Sequence, residues 1–124
     1  MSWVVSNIVP ILIVCGAATC SMLLFALMPR RVSGLVFGEE ISSPAALLVA
    51  RSWGLMIFTS GVLLVASAYH PEIRDAVLIN AIAGKLGFVL LVFAGGGRYL
   101  ARPAFAMALI DLVMIALFAC YLAG

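Results

Sequence analysis

The chain has 124 residues, 66% of them hydrophobic and only 10% charged, with a formal net charge of +2. An ordinary soluble domain carries about 25% charged residues, so this composition excludes a water-soluble globule and places the chain in the membrane class. Its seven lysines and arginines form no basic cluster interleaved with aromatics, which excludes a nucleic-acid surface.

A single span needs about 20 apolar residues to cross a hydrocarbon core of roughly 30 Å. Four such runs follow one another. The first, over 4–28, lacks a positively charged segment before it and is too long for a signal-peptide core, so it reads as a retained helix. Pro10 falls near its start, where neighbouring helices compensate the missing N–H. Met28-Pro29-Arg30-Arg31 stops it, and 32–43, with Gly34, Gly38, Glu39 and Glu40, reads as the longest loop. Ser43-Pro44 offers a capping serine and a first-turn proline for a second helix over 45–68. Tyr69-His70-Pro71-Glu72 turns the chain into a third helix over 73–93, with His70 read as a solvated turn residue. Gly95-Gly96-Gly97-Arg98 breaks that helix, and Pro103 opens a fourth over 104–122. The runs are long and unbroken, which argues for helices over alternating strands. The expectation is an all-α membrane protein of one domain, 1–124, built as a four-transmembrane-helix bundle.

Lysine and arginine in short loops set orientation. The first and third loops carry Arg30, Arg31, Arg98 and Arg102, whereas the second carries only Arg74. That bias predicts cytoplasmic first and third loops and both termini on the outer, periplasmic side. Trp3, Tyr69 and Tyr121 then fall together at the outer interface, as an aromatic belt does. Cys15, Cys20 and Cys120 lie inside apolar runs without a C-x-x-C spacing, and read as small hydrophobes. Gly16-Ala17-Ala18, Gly54, Ala83-Gly84 and Gly87 read as small residues that let helices approach closely.

Three ionisable residues lie within the spans. At 1.5 Å per residue Arg51 is about 10 Å in from Pro44, Lys85 about 12 Å in from the helix end near Phe93, and Asp111 about 12 Å in from Pro103. Thr19 and Ser21 come to a similar level. The spacing predicts one polar layer in the arginine-rich half, with Arg51, Lys85 and Asp111 meeting in the interior and Thr19, Ser21, Ser52 and Asn80 in support. A charge facing lipid at a helix centre costs about 2.5–3.5 kcal/mol, which favours turning these groups inward. One carboxylate facing two cations leaves a formal surplus of one positive charge. Three roles follow: a network fixing helix registry, a site for an anionic lipid headgroup or small anion, or a proton relay through Asp111. The sequence presents no nucleophile–base pair, metal cluster or cofactor motif, so no catalytic residue, metal or cofactor is assigned.

Arg51-Ser52-Trp53-Gly54 in the second helix, Lys85 in the third and Asp111 in the fourth, preceded by Met28-Pro29-Arg30, form a pattern that resembles a group of small bacterial four-helix membrane proteins loosely similar to the DoxX-like families. The likeness covers nearly the whole chain. It implies a four-helix fold and a bacterial inner-membrane address, and it carries over no catalytic residue. Small multidrug transporters are similar in size but rely on a carboxylate in helix one, which this chain lacks. Fluoride channels share its length, yet Gly95-Gly96-Gly97-Arg98-Tyr99 stands at the wrong helix for their glycine-rich opening. Ala50-Arg51-x-x-Gly54 is also similar to a segment of sterol-synthesis scaffold proteins of the Erg-twenty-eight type.

The leading functional expectation is a non-enzymatic accessory subunit or scaffold in the lipid bilayer, acting through helix-face contacts with a protein partner or with copies of itself. The alternative is an anion- or lipid-binding protein, or small transporter, built on the Arg51, Lys85 and Asp111 layer.

Overall fold

Four of the five prolines open helices. At the first helical turn the missing proline N–H has no intrahelical acceptor to lose, and its fixed φ is already helical. In a computed structural model, which describes residues 2–99 and 102–124, these prolines start α4 (Pro29–Phe37), α5 (Pro44–Tyr69), α6 (Pro71–Ala94) and α7 (Pro103–Ala123). Before them come α1 (Ser2–Ser6), α2 (Ile8–Cys20) and α3 (Leu23–Leu27), and a 3₁₀ turn at Gly96–Tyr99 follows α6. Four stretches are long and apolar enough to cross a membrane: Ile8–Leu27, Pro44–Tyr69, Pro71–Ala94 and Pro103–Ala123. They mark an integral membrane protein, and their ends lie within two residues of those expected for the last three helices.

The first span departs from a single unbroken helix over 4–28. Pro10 cannot donate to the carbonyl one turn earlier, and the chain breaks at Asn7, whose side-chain amide donates to the Trp3 carbonyl at 2.8 Å. A second interruption falls at Ser21 and Met22. There the backbone N–H groups of Ser21 and Met22 donate to Ala18 and Thr19, three residues back, tightening one turn to 3₁₀ geometry. The Ser21 hydroxyl competes for the same Ala18 carbonyl.

The stretch 32–43 is also not all loop. Met28 precedes a proline and is extended away from the helical region, so the first span ends there and α4 begins afresh. α4 turns Pro29 and Ser33 inward and leaves Arg30, Arg31 and Leu35 exposed. Gly38 ends it at φ 79, a left-handed cap that glycine adopts without a Cβ clash. The Arg102 guanidinium lies against Gly38, leaving no room for a Cβ and bringing the first and third connections to one end of the bundle. Ser43 caps α5 as expected, its hydroxyl accepting from the Ala46 N–H at 3.0 Å.

Helices one and two of the bundle meet backbone to backbone. A Cβ on Gly16 would stand 2.8 Å from the Gly61 carbonyl, one on Gly61 2.8 Å from the Cys20 nitrogen, and one on Gly54 2.7 Å from the Ala26 nitrogen. In lipid, where apolar burial drives little association, such close approach supplies the dispersion contact that holds helices together. The other pair, α6 and α7, packs through Val89, Val92 and Ala108, with Phe88 and Ile115 beside them.

The two pairs join at the end that carries both termini. Ile8, Leu12 and Cys15 meet Leu64, Ala68, Val77, Leu78, Met114 and Phe118 in one core drawn from all four spans. Arg74 closes this end, and its placement corrects its reading as a loop charge. It lies within α6, is only 7% exposed, and donates to the Ser67 and Ala68 carbonyls at 2.9 and 3.1 Å. Those carbonyls belong to the last turn of α5, where the helix dipole favours a cation. The Tyr121 hydroxyl accepts from Arg74 at 3.4 Å, so this tyrosine faces inward and is half-buried. At the opposite end a chain of aromatic contacts crosses the bundle, from Tyr99 through Phe37, Phe25 and Trp53 to Phe88.

Candidate ligand cleft around Lys85 and Asp111

Helical periodicity decides which polar side chains turn inward. Each residue advances about 100° around the axis, so positions spaced by three and four share a face. Along α6 the inward stripe runs Arg74, Leu78, Ala81, Lys85, Val89 and Val92. Along α7 it runs Ala104, Ala108, Asp111, Ile115 and Phe118. Along α2 it runs Ile8, Leu12, Cys15 and Thr19. Lys85, Asp111 and Thr19 therefore occupy core positions of three different spans.

They meet. Lys85 Nζ lies 3.1 Å from Asp111 Oδ1 and 3.2 Å from Thr19 Oγ1, donating to both. The two charged side chains are 11% and 19% exposed. The Thr19 hydroxyl donates its own hydrogen bond to the Cys15 carbonyl at 2.7 Å, which leaves its lone pairs for the ammonium. One lysine thus ties the first, third and fourth spans.

Arg51 does not join them. On α5 the buried stripe is Ala50, Gly54, Gly61, Leu64 and Ala68, and Arg51 sits about 100° away from it, on the face that exposes Leu48, Leu55 and Val62. Trp53, two residues further on, is turned about 200° from Arg51 and enters the aromatic contacts, so the R-x-W-G segment sends its arginine and its tryptophan to different sides. Ser52 is exposed as well. The layer therefore holds one cation and one carboxylate, and the expected surplus of positive charge is absent from it.

Beside the ion pair lies a cleft of about 450 Å³. It lies between the termini-side core and the aromatic crossing, and side chains from all four spans line it. Thr19 and Ser21 come from the first, Ser60 from the second, Asn80 and Lys85 from the third and Asp111 from the fourth. The remaining wall is apolar, with Trp53 stacked on Phe88 at 6.0 Å at one side. The 3₁₀ turn at Ser21 and Met22 falls in this wall, where Ala18, Thr19, Ser21 and Met22 all face the opening. The lining residues lie well inside their spans, and two of them, Met56 and Ile110, are exposed on the outside of the bundle. Asn80, expected in support of the layer, lines the cleft and is exposed.

Two features of the cleft escape a reading focused on charge. Four of the six methionines, Met22, Met56, Met107 and Met114, line it. Gly84 also faces it, and a Cβ there would meet nothing within 4 Å. The methionines carry a signal in principle: each precedes or follows an inward polar position by three or four residues on its helix. Gly84 carries none, because a glycine that allows close packing and one that borders a void look the same in sequence.

Fold and site together define a four-helix membrane protein with an ion-paired cleft among its spans. In comparisons with known proteins, no family model, no curated protein and no solved structure matches the chain.

Proposed function

We propose that this protein is a non-enzymatic membrane protein that takes a lipid-soluble ligand from the bilayer into the cleft beside Lys85 and Asp111. The observation that carries the reading is the conjunction of a cleft of about 450 Å³ with a single ion pair on its wall. Ligand pockets of about 300–1,000 Å³ are typically apolar with a few fixed polar groups. A polar pair needed only for registry has no reason to border a void, since dense packing around it stabilises the bundle more. The methionine walls fit the reading too, because flexible thioethers repack around different apolar bodies.

In this proposal the arginine-rich end, with Arg30, Arg31 and Arg102 exposed, is cytoplasmic and both termini lie outside. A bacterial inner membrane is the proposed location, resting on the resemblance carried by the R-x-W-G, lysine and aspartate pattern. The small size and short connections keep an accessory role in a larger assembly or homo-oligomer within the same proposal.

Purification in mild detergent, followed by solvent extraction and mass spectrometry, tests the binding role. The native chain is expected to retain a small amphiphile near one per protein, and Gly84→Leu, which sends a side chain into the cleft from a position where a Cβ meets nothing within 4 Å, is expected to lose it. An empty native cleft alongside a stoichiometric protein partner would shift the assignment to the scaffold reading.

A further inference from the structure

The charge balance of the cleft specifies the chemistry of what it takes. Lys85 and Asp111 are the ionisable residues on its wall, and their charges cancel. Arg51, the group that would have left a positive surplus, faces away. An anionic or cationic head entering this wall would add an uncompensated charge in a low-dielectric site, which is strongly unfavourable.

The pair nonetheless has hydrogen-bonding capacity left over. An ammonium carries three N–H groups, and two are directed at Thr19 and Asp111. Asp111 accepts through Oδ1, and among the described residues no group donates to its second oxygen. Lys85 therefore keeps one donor and Asp111 one acceptor oxygen, on two residues that both line the cleft. A group that both donates and accepts satisfies them together.

Resting on the binding role proposed above, we infer that the ligand is an uncharged amphiphile whose head is a hydroxyl or a similar donor–acceptor group, with an apolar body lying among Met22, Met56, Met107, Met114, Trp53 and Phe88. The head bridges the free N–H of Lys85 and the second oxygen of Asp111. The body is held by shape and dispersion alone, and the methionines allow it to vary.

The test uses three bromoalkyl probes that share an eleven-carbon body and differ in the head: 11-bromoundecan-1-ol, the matching sulfonate and the matching trimethylammonium. The charged heads keep their charge at every working pH. Trp53 lines the cleft and is one of two tryptophans, so Trp3→Phe leaves it as the chain's sole tryptophan, excited selectively over tyrosine and quenched by bromine at contact range. In phosphatidylcholine nanodiscs the alcohol is expected to quench Trp53 saturably, at a half-saturating concentration at least about tenfold below that of either charged probe. Gly84→Leu should reduce this to the linear quenching that partition into the bilayer gives. A charged probe that saturates at or below the alcohol's concentration overturns the ligand class and leaves the cleft a binding site. If no probe saturates, the binding role itself falls. The ranking is read on a chain with a native cleft, so it does not depend on how the leucine variant folds.

Discussion

Lys85 Nζ and Asp111 Oδ1 stand 3.1 Å apart between the third and fourth spans, and Thr19 of the first accepts from the same ammonium. This geometry makes the pair a coupled unit. Removing one partner leaves the other charged, buried and unanswered, which in buried pairs costs about 3–5 kcal/mol, whereas replacing both by apolar groups is often neutral. Lys85→Met alone is therefore expected to destabilise the bundle by about 3–5 kcal/mol and Lys85→Met with Asp111→Leu by much less. Reversible unfolding in mixed micelles checks the sign of this non-additivity. With Asp111→Leu measured as the second single variant, a double loss equal to the sum of the two single losses would mean that the pair does not act as a unit.

Arg51 supplies the contrasting case. It is exposed and engages neither Asp111 nor Lys85. Arg51→Gln is expected to change unfolding free energy by no more than about 0.5–1 kcal/mol, as for surface positions away from packed features. The same micelle assay reads it, and a loss as large as that of Lys85→Met would place Arg51 in the interior network after all.

Arg74 is the strongest polar anchor outside the cleft. Its guanidinium fork satisfies two carbonyls at the end of α5 and reaches Tyr121, with its Cζ 5.8 Å from that ring. Arg74 uses three separate nitrogens for its three partners, and a lysine offers a single nitrogen without that planar fork. Arg74→Lys is expected to cost about 1–3 kcal/mol, little better than Arg74→Met, because buried carbonyls lose their partners in both. Hydrogen exchange should locate the loosening at the turn between α5 and α6. Full rescue by lysine would show that charge alone matters there.

Glycines that look alike in sequence should respond in opposite ways. Gly61→Ala places a methyl 2.8 Å from backbone of the first span and is expected to cost about 1–3 kcal/mol by overpacking. Gly84→Ala meets nothing and, by the helix propensity of alanine, should stabilise α6 by up to about 1 kcal/mol. Thermal unfolding of the two variants side by side decides it, and destabilisation by Gly84→Ala would mean that the void is absent.

How much of this was legible in the sequence follows from what each signal measures. Length and hydropathy locate spans well, and capping chemistry such as Ser43-Pro44 locates their starts, because both are local. The depth arithmetic brought Lys85, Asp111 and Thr19 to one level correctly, since rise along a helix is nearly constant. Depth says nothing about azimuth. Arg51 shares the level and misses the site because it lies off the stripe of Ala50 and Gly54, a distinction the three-and-four spacing on α5 could have drawn. The helix at Pro29–Phe37 was hidden by its two arginines and its glycine, which read as loop when hydropathy is the guide. The open space next to Gly84 depends on how four helices pack in three dimensions, and no residue announces it.

The claim on which the functional account turns is that a lipid-soluble molecule occupies the cleft, and the methionine methyl groups report on that space directly. With ¹³C-methyl methionine incorporated and the protein in nanodiscs, titration with 11-bromoundecan-1-ol is expected to shift the signals of Met22, Met56, Met107 and Met114 along one saturable curve. Met28, which does not line the cleft, should hardly move, and Gly84→Leu should flatten all four responses. Shifts that grow linearly and equally at Met28 and the cleft methionines would contradict the account.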